Sequence, residues 1–234
     1  MNRVDNKGFT IIELMLAMTF VALLLMAIAM TTIQISNMYN KGITLREVNQ
    51  AGRSISDDFT RTIAQSEPFV VDVSDPEARY IVKPGGGRLC VGRSTYAWNL
   101  GTALRGGTGA PAIYNTYTAS TDQVRLVKVN DPGGSLCDNP NATITKTAAT
   151  EMLNSGDRDL VVHKLTVTKG AEDLIIQQTM YVIALAIGTN NGAQLMTNNT
   201  ACKPPSDGVG NEDYCSVNQF DITARAGNKV QAGS

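Results

Sequence analysis

The chain has 234 residues, of which 43% are hydrophobic, and it carries 20 basic and 21 acidic side chains. This near-neutral balance argues against a nucleic-acid-binding protein, which would show a basic face or stripe. With one histidine and a glycine run at residues 85–87 that lacks the Lys and Ser/Thr of a P-loop, we find no catalytic constellation. We therefore expect no enzyme, no metal site and no cofactor.

The first recognisable element is an apolar run that lasts to about Ile35 and contains the carboxylate of Glu13. Between residues 14 and 30 the only polar side chain is Thr19, so the run is long enough to cross about 30 Å of hydrocarbon as a helix. A charged side chain near the end of such a span is costly unless it finds a partner. Glu13 is therefore a candidate functional residue.

Three interpretations of this stretch compete. A secretory signal peptide would use residues 3–7 as its basic region and residues 27–29, Ala-Ile-Ala, as its cleavage site. Its apolar region would usually run about 7 to 15 residues without a charge, and this run is longer and contains Glu13. A plain membrane anchor would leave Glu13 without a role at the interface. The third interpretation is a leader peptide that ends at Gly8.

The third interpretation depends on the order of residues 7–14, Lys-Gly-Phe-Thr-Ile-Ile-Glu-Leu, at the start of the apolar run. A basic leader ending in Gly8, then Phe9, then Glu13 four residues later resembles the class III signal of type IV pilins and pseudopilins. The resemblance implies that a prepilin peptidase cuts between Gly8 and Phe9 and that the new amine is methylated. It also implies that Glu13 pairs with the Phe9 ammonium of a neighbouring subunit, since each charge in an apolar fibre core needs a counter-charge.

The basic residues before the span predict its orientation. Arg3 and Lys7 place the N-terminus in the cytoplasm by the positive-inside rule, which leaves the rest of the chain outside. We expect a single-pass cytoplasmic membrane protein that later enters a cell-surface or periplasmic filament. The partners implied by the resemblance are other pilin subunits, the prepilin peptidase, and an assembly platform and ATPase.

The helix is predicted to continue beyond the membrane. Apolar or small residues recur at intervals of three and four with polar residues on the other sides, at Leu45, Val48, Gly52, Ile55, Phe59 and Ile63. No proline occurs before Pro68, so one helix should run from Phe9 to about Gln65, roughly 85 Å at about 1.5 Å per residue. Close packing of the head explains Gly52 better than a hinge does.

Beyond the helix, short extended runs between turn residues predict strands. The predicted strands are residues 69–73, 79–82, 88–91, 113–118, 123–129, 160–168 and 175–187. Residues 169–173 would connect the last two strands as a hairpin. Because strand 175–187 is apolar on both faces, we expect it to be covered on both sides and central in its sheet.

The expected fold class is α+β, with a long N-terminal helix packed against an antiparallel β-sheet head, as in pilins. The predicted divisions are a leader (1–8), a transmembrane or filament-core helix (9–35), the amphipathic half of the helix (36–67) and a β-rich head (68–234). The head has four long polar loops, at residues 84–87, 101–111, 130–155 and 188–216. Packing against neighbouring subunits explains such loops better than ligand binding does, although recognition usually resides in loops.

Four cysteines, Cys90, Cys137, Cys202 and Cys215, lie in the part predicted to be outside. An even count in an oxidising compartment favours two disulfides over zinc, for which there is no Cys-x-x-Cys and only His163. Of the three connectivities, we favour Cys90–Cys137 and Cys202–Cys215, because the second pair brackets a polar loop. Residues 207–213 could offer oxygen ligands to calcium, but their spacing does not match the twelve-residue calcium loop.

The resemblance to pilins implies a structural subunit of a type IV pilus-like filament, either a minor pilin or a pseudopilin of a type II secretion system. The alternative from another class is a tip-located binding subunit, an adhesin or DNA receptor, on the same scaffold. A membrane-anchored protein that never enters a fibre is a third possibility. A basic patch with exposed aromatic side chains on the head would favour DNA binding.

Overall fold

The computed structural model describes residues 10–153, 156, 158–173, 178–197, 200–204 and 214–227. Within them one long helix precedes two antiparallel sheets, so the fold class is α+β, as predicted. The predicted cleavage site at Gly8 and Phe9 and the candidate calcium segment 207–213 lie outside the described residues.

The first element, α1 (Ile11–Ala64), is a single helix whose two halves have different surroundings. Its N-terminal half is exposed, whereas its second half buries one face against the sheets. The buried residues are Thr44, Val48, Ala51, Gly52, Ile55, Phe59 and Ile63. The helix ends at its C-cap Gln65, which confirms the predicted end. The prediction was wrong at Leu45, which is 42% exposed because the buried face is turned toward Thr44.

The first sheet has five strands in sequential order, and each neighbouring pair is antiparallel. The strands are β1 (Tyr80–Lys83), β2 (Gly86–Val91), β3 (Ser94–Asn99), β4 (Leu126–Asn130) and β5 (Ala149–Glu151). Two short helices, α2 (Gly101–Arg105) and α3 (Ser135–Asp138), lie in the connections. The predicted loops 101–111 and 130–155 therefore contain regular structure, and β3 and β5 were not predicted.

Most of the glycine run at residues 85–87 is strand rather than loop. Gly86 and Gly87 belong to β2, and only residues 84–85 separate β2 from β1. A Cβ atom at Gly87 would lie 2.4 Å from the ring of Trp98 on β3. Glycine is needed here because the indole ring lies directly against the backbone of β2.

The second sheet consists of β6 (Leu160–Asp173), β7 (Gln178–Thr189) and β8 (Val217–Ala226), with β7 in the centre as predicted. The hairpin connection predicted at residues 169–173 was wrong, because β6 pairs with β7 as far as Asp173. The expected covering of both faces of β7 is confirmed only in part. On the opposite side from the core Ala186 is buried, whereas Met180, Val182 and Ala184 are only half-buried.

Two predicted strands are absent from the described sheets. At residues 69–73, the ring of Phe69 stacks on Tyr181 at 4.0 Å, and the Tyr181 hydroxyl bonds to both the N–H and the C=O of Phe69. A side chain therefore takes the place of a strand partner there. Residues 113–118 form only isolated bridges, at Thr116 and Tyr117.

The two sheets and α1 enclose the main core, and a smaller core lies on the outer side of the first sheet. The main core contains the buried face of α1 together with the inner faces of both sheets. The smaller core forms where the segments on either side of β4, residues 112–124 and 131–148, fold back over β3 and β4. Its members are Ala97, Tyr117, Val124, Val127, Val129, Leu136 and Ile144. The head is therefore layered, with the first sheet between the two cores.

Two disulfides join the cysteines in the favoured pairing. Cys90 on β2 is bonded to Cys137 on α3, with an S–S distance of 2.02 Å. Cys202 is bonded to Cys215, immediately before β8, with an S–S distance of 2.16 Å. The first disulfide ties α3, in the connection between β4 and β5, to strand β2 of the first sheet.

We expect Gly52→Ala to destabilise the head by about 1–3 kcal/mol, the usual range for overpacking a core. A Cβ atom at Gly52 would lie 2.1 Å from the ring of Phe220 on β8, so the ring would have to move. The measurement is urea unfolding of the full chain in detergent, followed by the fluorescence of Trp98, the single tryptophan.

Gly42→Ala is the matched control, because a Cβ atom at Gly42 meets no atom within 4 Å. It should leave the urea midpoint unchanged or raise stability by up to about 1 kcal/mol, the difference in helix propensity. Equal effects of the two substitutions would contradict close packing as the reason for Gly52.

Candidate membrane and assembly site

The apolar half of α1, defined as residues 11–35, stands free of the head. Every residue in it is exposed, and most of its side chains are large and apolar. It is long and apolar enough to cross a membrane, which makes it a candidate single membrane span. Soluble monomers rarely expose apolar patches larger than a few hundred Å². The apolar half therefore needs lipid or other apolar helices around it.

The three threonine hydroxyls of the apolar half are satisfied within the helix. The hydroxyl of Thr19 donates to the carbonyl of Leu16 at 2.9 Å, and those of Thr31 and Thr32 donate to the carbonyl of Ile28 at 2.8 and 2.9 Å. A hydroxyl that bonds to its own helix backbone requires no water. This part of the helix is therefore compatible with hydrocarbon or with the interior of a fibre.

Glu13 closes a reciprocal cap at the start of α1. The backbone N–H and the hydroxyl of Thr10 both donate to Oε2 of Glu13 at 2.9 Å, and the N–H of Glu13 points to the Thr10 hydroxyl oxygen at 3.3 Å. This is a capping box, and its Thr-x-x-Glu signature could have been found in the sequence. The cap also places a carboxylate at the positive end of the helix dipole.

The cap leaves one oxygen of the carboxylate available. Both hydrogen bonds of the Glu13 side chain go to Oε2, and no described residue donates to Oε1. The side chain is thus fixed in orientation and still able to accept a bond from a donor on another molecule. The predicted donor is the N-terminal ammonium of Phe9 after cleavage, and Phe9 lies outside the described residues.

We expect Thr10→Val to loosen the start of α1 by about 1 kcal/mol, the usual cost of losing a helix cap. Amide hydrogen exchange of residues 11–14 in detergent should then be about fivefold faster. Thr10→Ser keeps the hydroxyl and should exchange like the native chain. Equal exchange in the Val and Ser variants would contradict the cap.

A polar cluster fixes α1 to the first sheet. Asp58 of α1 accepts from the Tyr96 hydroxyl at 2.6 Å and from the Lys128 ammonium at 2.9 Å. The Tyr96 hydroxyl and the Lys128 ammonium also donate to the hydroxyl oxygen of Thr62. Burial and the hydrogen bond to Asp58 raise the pKa of Tyr96 well above its usual range. This cluster holds the second half of the helix to the head, so the apolar half projects in a fixed direction.

His163 lies in β6 at a register shift, away from the exposed half of the helix. Its Nε2 is 3.2 Å from the carbonyl of Thr189, and its buried Nδ1 has no hydrogen-bond partner among the described residues. Burial lowers the pKa of His163 to about 4. In the described part of the chain, no group of three or more metal-ligating side chains lies together.

We expect acid to destabilise the head through His163. Because burial lowers the pKa of His163 to about 4 from the usual histidine value of about 6.5, the unfolded chain binds a proton that the folded chain does not. Above pH 6.5 the histidine is neutral in both states and costs nothing. As the pH falls from 6.5 to about 4, the free energy of unfolding decreases by about 3 kcal/mol. His163→Gln should lose that much less than the native chain between pH 7 and pH 4 in urea unfolding. Equal losses would contradict a buried neutral histidine.

A scan against models of protein families and searches of curated proteins and of solved structures found no match for this chain. The likeness to pilins therefore rests on the layout of the chain itself. A long N-terminal apolar helix is followed by antiparallel sheets that pack on its second half, which fits the pilin-like arrangement.

Proposed function

We propose that this chain is a structural subunit of a type IV pilus-like filament, a minor pilin or a pseudopilin. It polymerises through α1 after removal of residues 1–8. The observation that carries the proposal is the division of one helix into two halves. Residues 11–39 are exposed, while the second half forms part of the core of the head. A helix of this kind can pack with copies of itself in a fibre and carry its head on the outside.

The continuity of α1 supports a filament subunit over a plain membrane anchor. An anchor needs about 20 apolar residues and can be joined to its head by any linker. Here 54 residues form one helix, about 80 Å long at about 1.5 Å per residue, without a proline. A rigid connection has a clear use in a fibre, because it sets the position of each head relative to the packed helices.

The position of Glu13 supports the same proposal. A carboxylate at the beginning of an apolar helix is costly in hydrocarbon unless it meets a counter-charge. The cap satisfies Oε2, and the proposed partner of the remaining oxygen is the Phe9 ammonium of a neighbouring subunit. Before assembly the chain lies in the cytoplasmic membrane with its N-terminus inside, and the assembly platform and ATPase move it into the fibre.

No specific observation favours a tip-located adhesin or DNA receptor. Among the described residues of the head, none of the aromatic side chains is exposed; the exposed aromatics are Phe20 and Tyr39 of α1. Single-stranded nucleic acids are bound by proteins that combine positive charge with exposed stacking platforms. The described surface of the head offers no such platform.

Processing of the chain tests this proposal. The chain should be produced in membranes of cells with and without a prepilin peptidase, and its intact mass measured. We expect the peptidase to remove residues 1–8 and the product to begin at a methylated Phe9. The variant Gly8→Asp should remain uncut and in the membrane. Cleavage elsewhere, such as after residues 27–29, would contradict the proposal and indicate a secretory signal peptide.

A further inference from the structure

The exposed side of the second half of α1 carries a row of arginines, Arg46, Arg53 and Arg61, called here the arginine stripe. Their spacing of seven and eight residues places all three on one side of the helix, opposite the buried face. All three are exposed, and none forms an ion pair within 4 Å with another described residue. One acidic residue, Asp57, lies among them.

The other carboxylates of this part of the helix are already engaged by the head. Asp58 pairs with Lys128, and Glu47 accepts the backbone N–H of Arg158 at 3.2 Å. The stripe, together with Asp57, therefore carries a net charge of +2 from three arginines and one aspartate. In a fibre of packed helices, neighbouring stripes would repel each other unless an acidic surface came between them.

A surface of opposite charge follows the end of α1. Residues 72–77, called here the acidic turn, are all exposed and contain Asp72, Asp75 and Glu77. Within the described chain, none of these three carboxylates has a cationic partner within 4 Å. The acidic turn therefore carries three uncompensated negative charges.

The acidic turn has a defined shape. Asp72 accepts from the N–H and the hydroxyl of Ser74 at 2.9 and 2.7 Å, and Asp75 accepts from the N–H of Glu77 at 2.8 Å. Two backbone bonds, Asp75 N–H to Asp72 O and Ala78 N–H to Asp75 O, hold its two turns. These bonds present the carboxylates outward, with little ordering left to be done on binding.

We propose that the arginine stripe of one subunit binds the acidic turn of a second copy of this chain. The inference rests on the proposed function and adds a contact between heads to the packing of the apolar halves. The charges are complementary, and each surface has an exposed apolar residue, Leu45 beside the stripe and Val73 in the turn. Because the two surfaces differ, the contact is heterologous, and such contacts propagate as open helical filaments.

The test uses a photo-cross-linking phenylalanine analogue in place of Val73 in the full chain. Filaments are sheared from cells, irradiated and digested, and the cross-linked peptides are identified by mass spectrometry. We expect cross-links to residues 45–61 of a second copy. The triple variant R46E/R53E/R61E should lower their yield at least tenfold, and adding E77K, which leaves the turn bonds of Asp72 and Asp75 intact, should restore part of it. R93E/K164E/R225E, which changes three exposed cations elsewhere on the head, should leave the yield unchanged.

The outcomes separate this inference from the proposed function. If the chain enters filaments but Val73 cross-links elsewhere, or the charge swap restores nothing, the contact between stripe and turn is wrong and the proposed function stands. The contact would also be contradicted if Val73 cross-linked to a different protein, or if the arginine stripe proved to bind DNA instead. If the chain with both surfaces intact enters no filament, the proposed function itself fails.

Discussion

Glu13→Ala should lower the incorporation of the chain into filaments at least tenfold while leaving its amount in the membrane unchanged. Removing one partner of a buried ion pair leaves the other charge uncompensated, at a cost of about 3–5 kcal/mol. Since about 1.4 kcal/mol corresponds to a tenfold change in an equilibrium, this cost is enough for a nearly complete loss. The measurement compares the chain in sheared filaments with the chain in membranes by quantitative immunoblotting.

Two control variants separate the charge of Glu13 from its other contributions. Thr19→Ala removes a polar group from the same apolar half, where the hydroxyl bonds only to its own backbone, and it should assemble normally. Glu13→Gln keeps an oxygen for the cap with Thr10 but removes the charge, and it should fail like Glu13→Ala. Normal assembly of Glu13→Gln would mean that the cap, and not a charge pair between subunits, is what Glu13 provides.

Arg88→Ala should destabilise the head by about 3–5 kcal/mol, because the side chain holds four acceptors in the interior of the protein. Arg88 on β2 is 1% exposed, and its guanidinium donates to the Asn115 side chain and to the carbonyls of Leu136, Asn139 and Ala142. All four acceptors lie in the segments that fold back over the first sheet. Removing the guanidinium leaves these four oxygens without their hydrogen-bond donor. It also releases the residues that cover the smaller core.

The urea midpoint reported by Trp98 should fall by about 2 M for Arg88→Ala, at a slope of about 2 kcal/mol per M. Arg93→Ala is the matched control, since Arg93 is exposed beyond the end of the same strand. It should change stability by no more than about 0.5 kcal/mol. A midpoint for Arg88→Ala close to that of Arg93→Ala would contradict a structural role for the buried guanidinium.

The helix and the disulfide pairing could be predicted because both depend on local rules. The spacing of Val48, Ile55 and Phe59 set the buried face, and uninterrupted helical sequence set the length. Leu45 was misplaced because a shift of one residue turns a side chain by about 100°, and apolarity alone does not fix the rotation of a helix. The capping box at Thr10 could also have been predicted, from its spacing to Glu13.

The architecture of the head could be predicted only in part, because distant contacts decide it. β8 has only two large apolar side chains on its inner face, Phe220 and Ile222, with small alanines after them. It is a strand because it pairs with β7 and because Phe220 fits against Gly52. Arg88 gives no signal in the sequence, since three of its four partners are backbone oxygens about 50 residues away. The division into two sheets depends on the same long-range packing.

The most direct test of a filament subunit is the composition of the filaments themselves. Surface filaments sheared from cells that produce the native chain should be purified and analysed by mass spectrometry for its N-terminal peptide. We predict that the chain is present in the filaments and begins at N-methylated Phe9. Its absence from every filament preparation, in cells whose membranes contain the processed chain, would contradict the account.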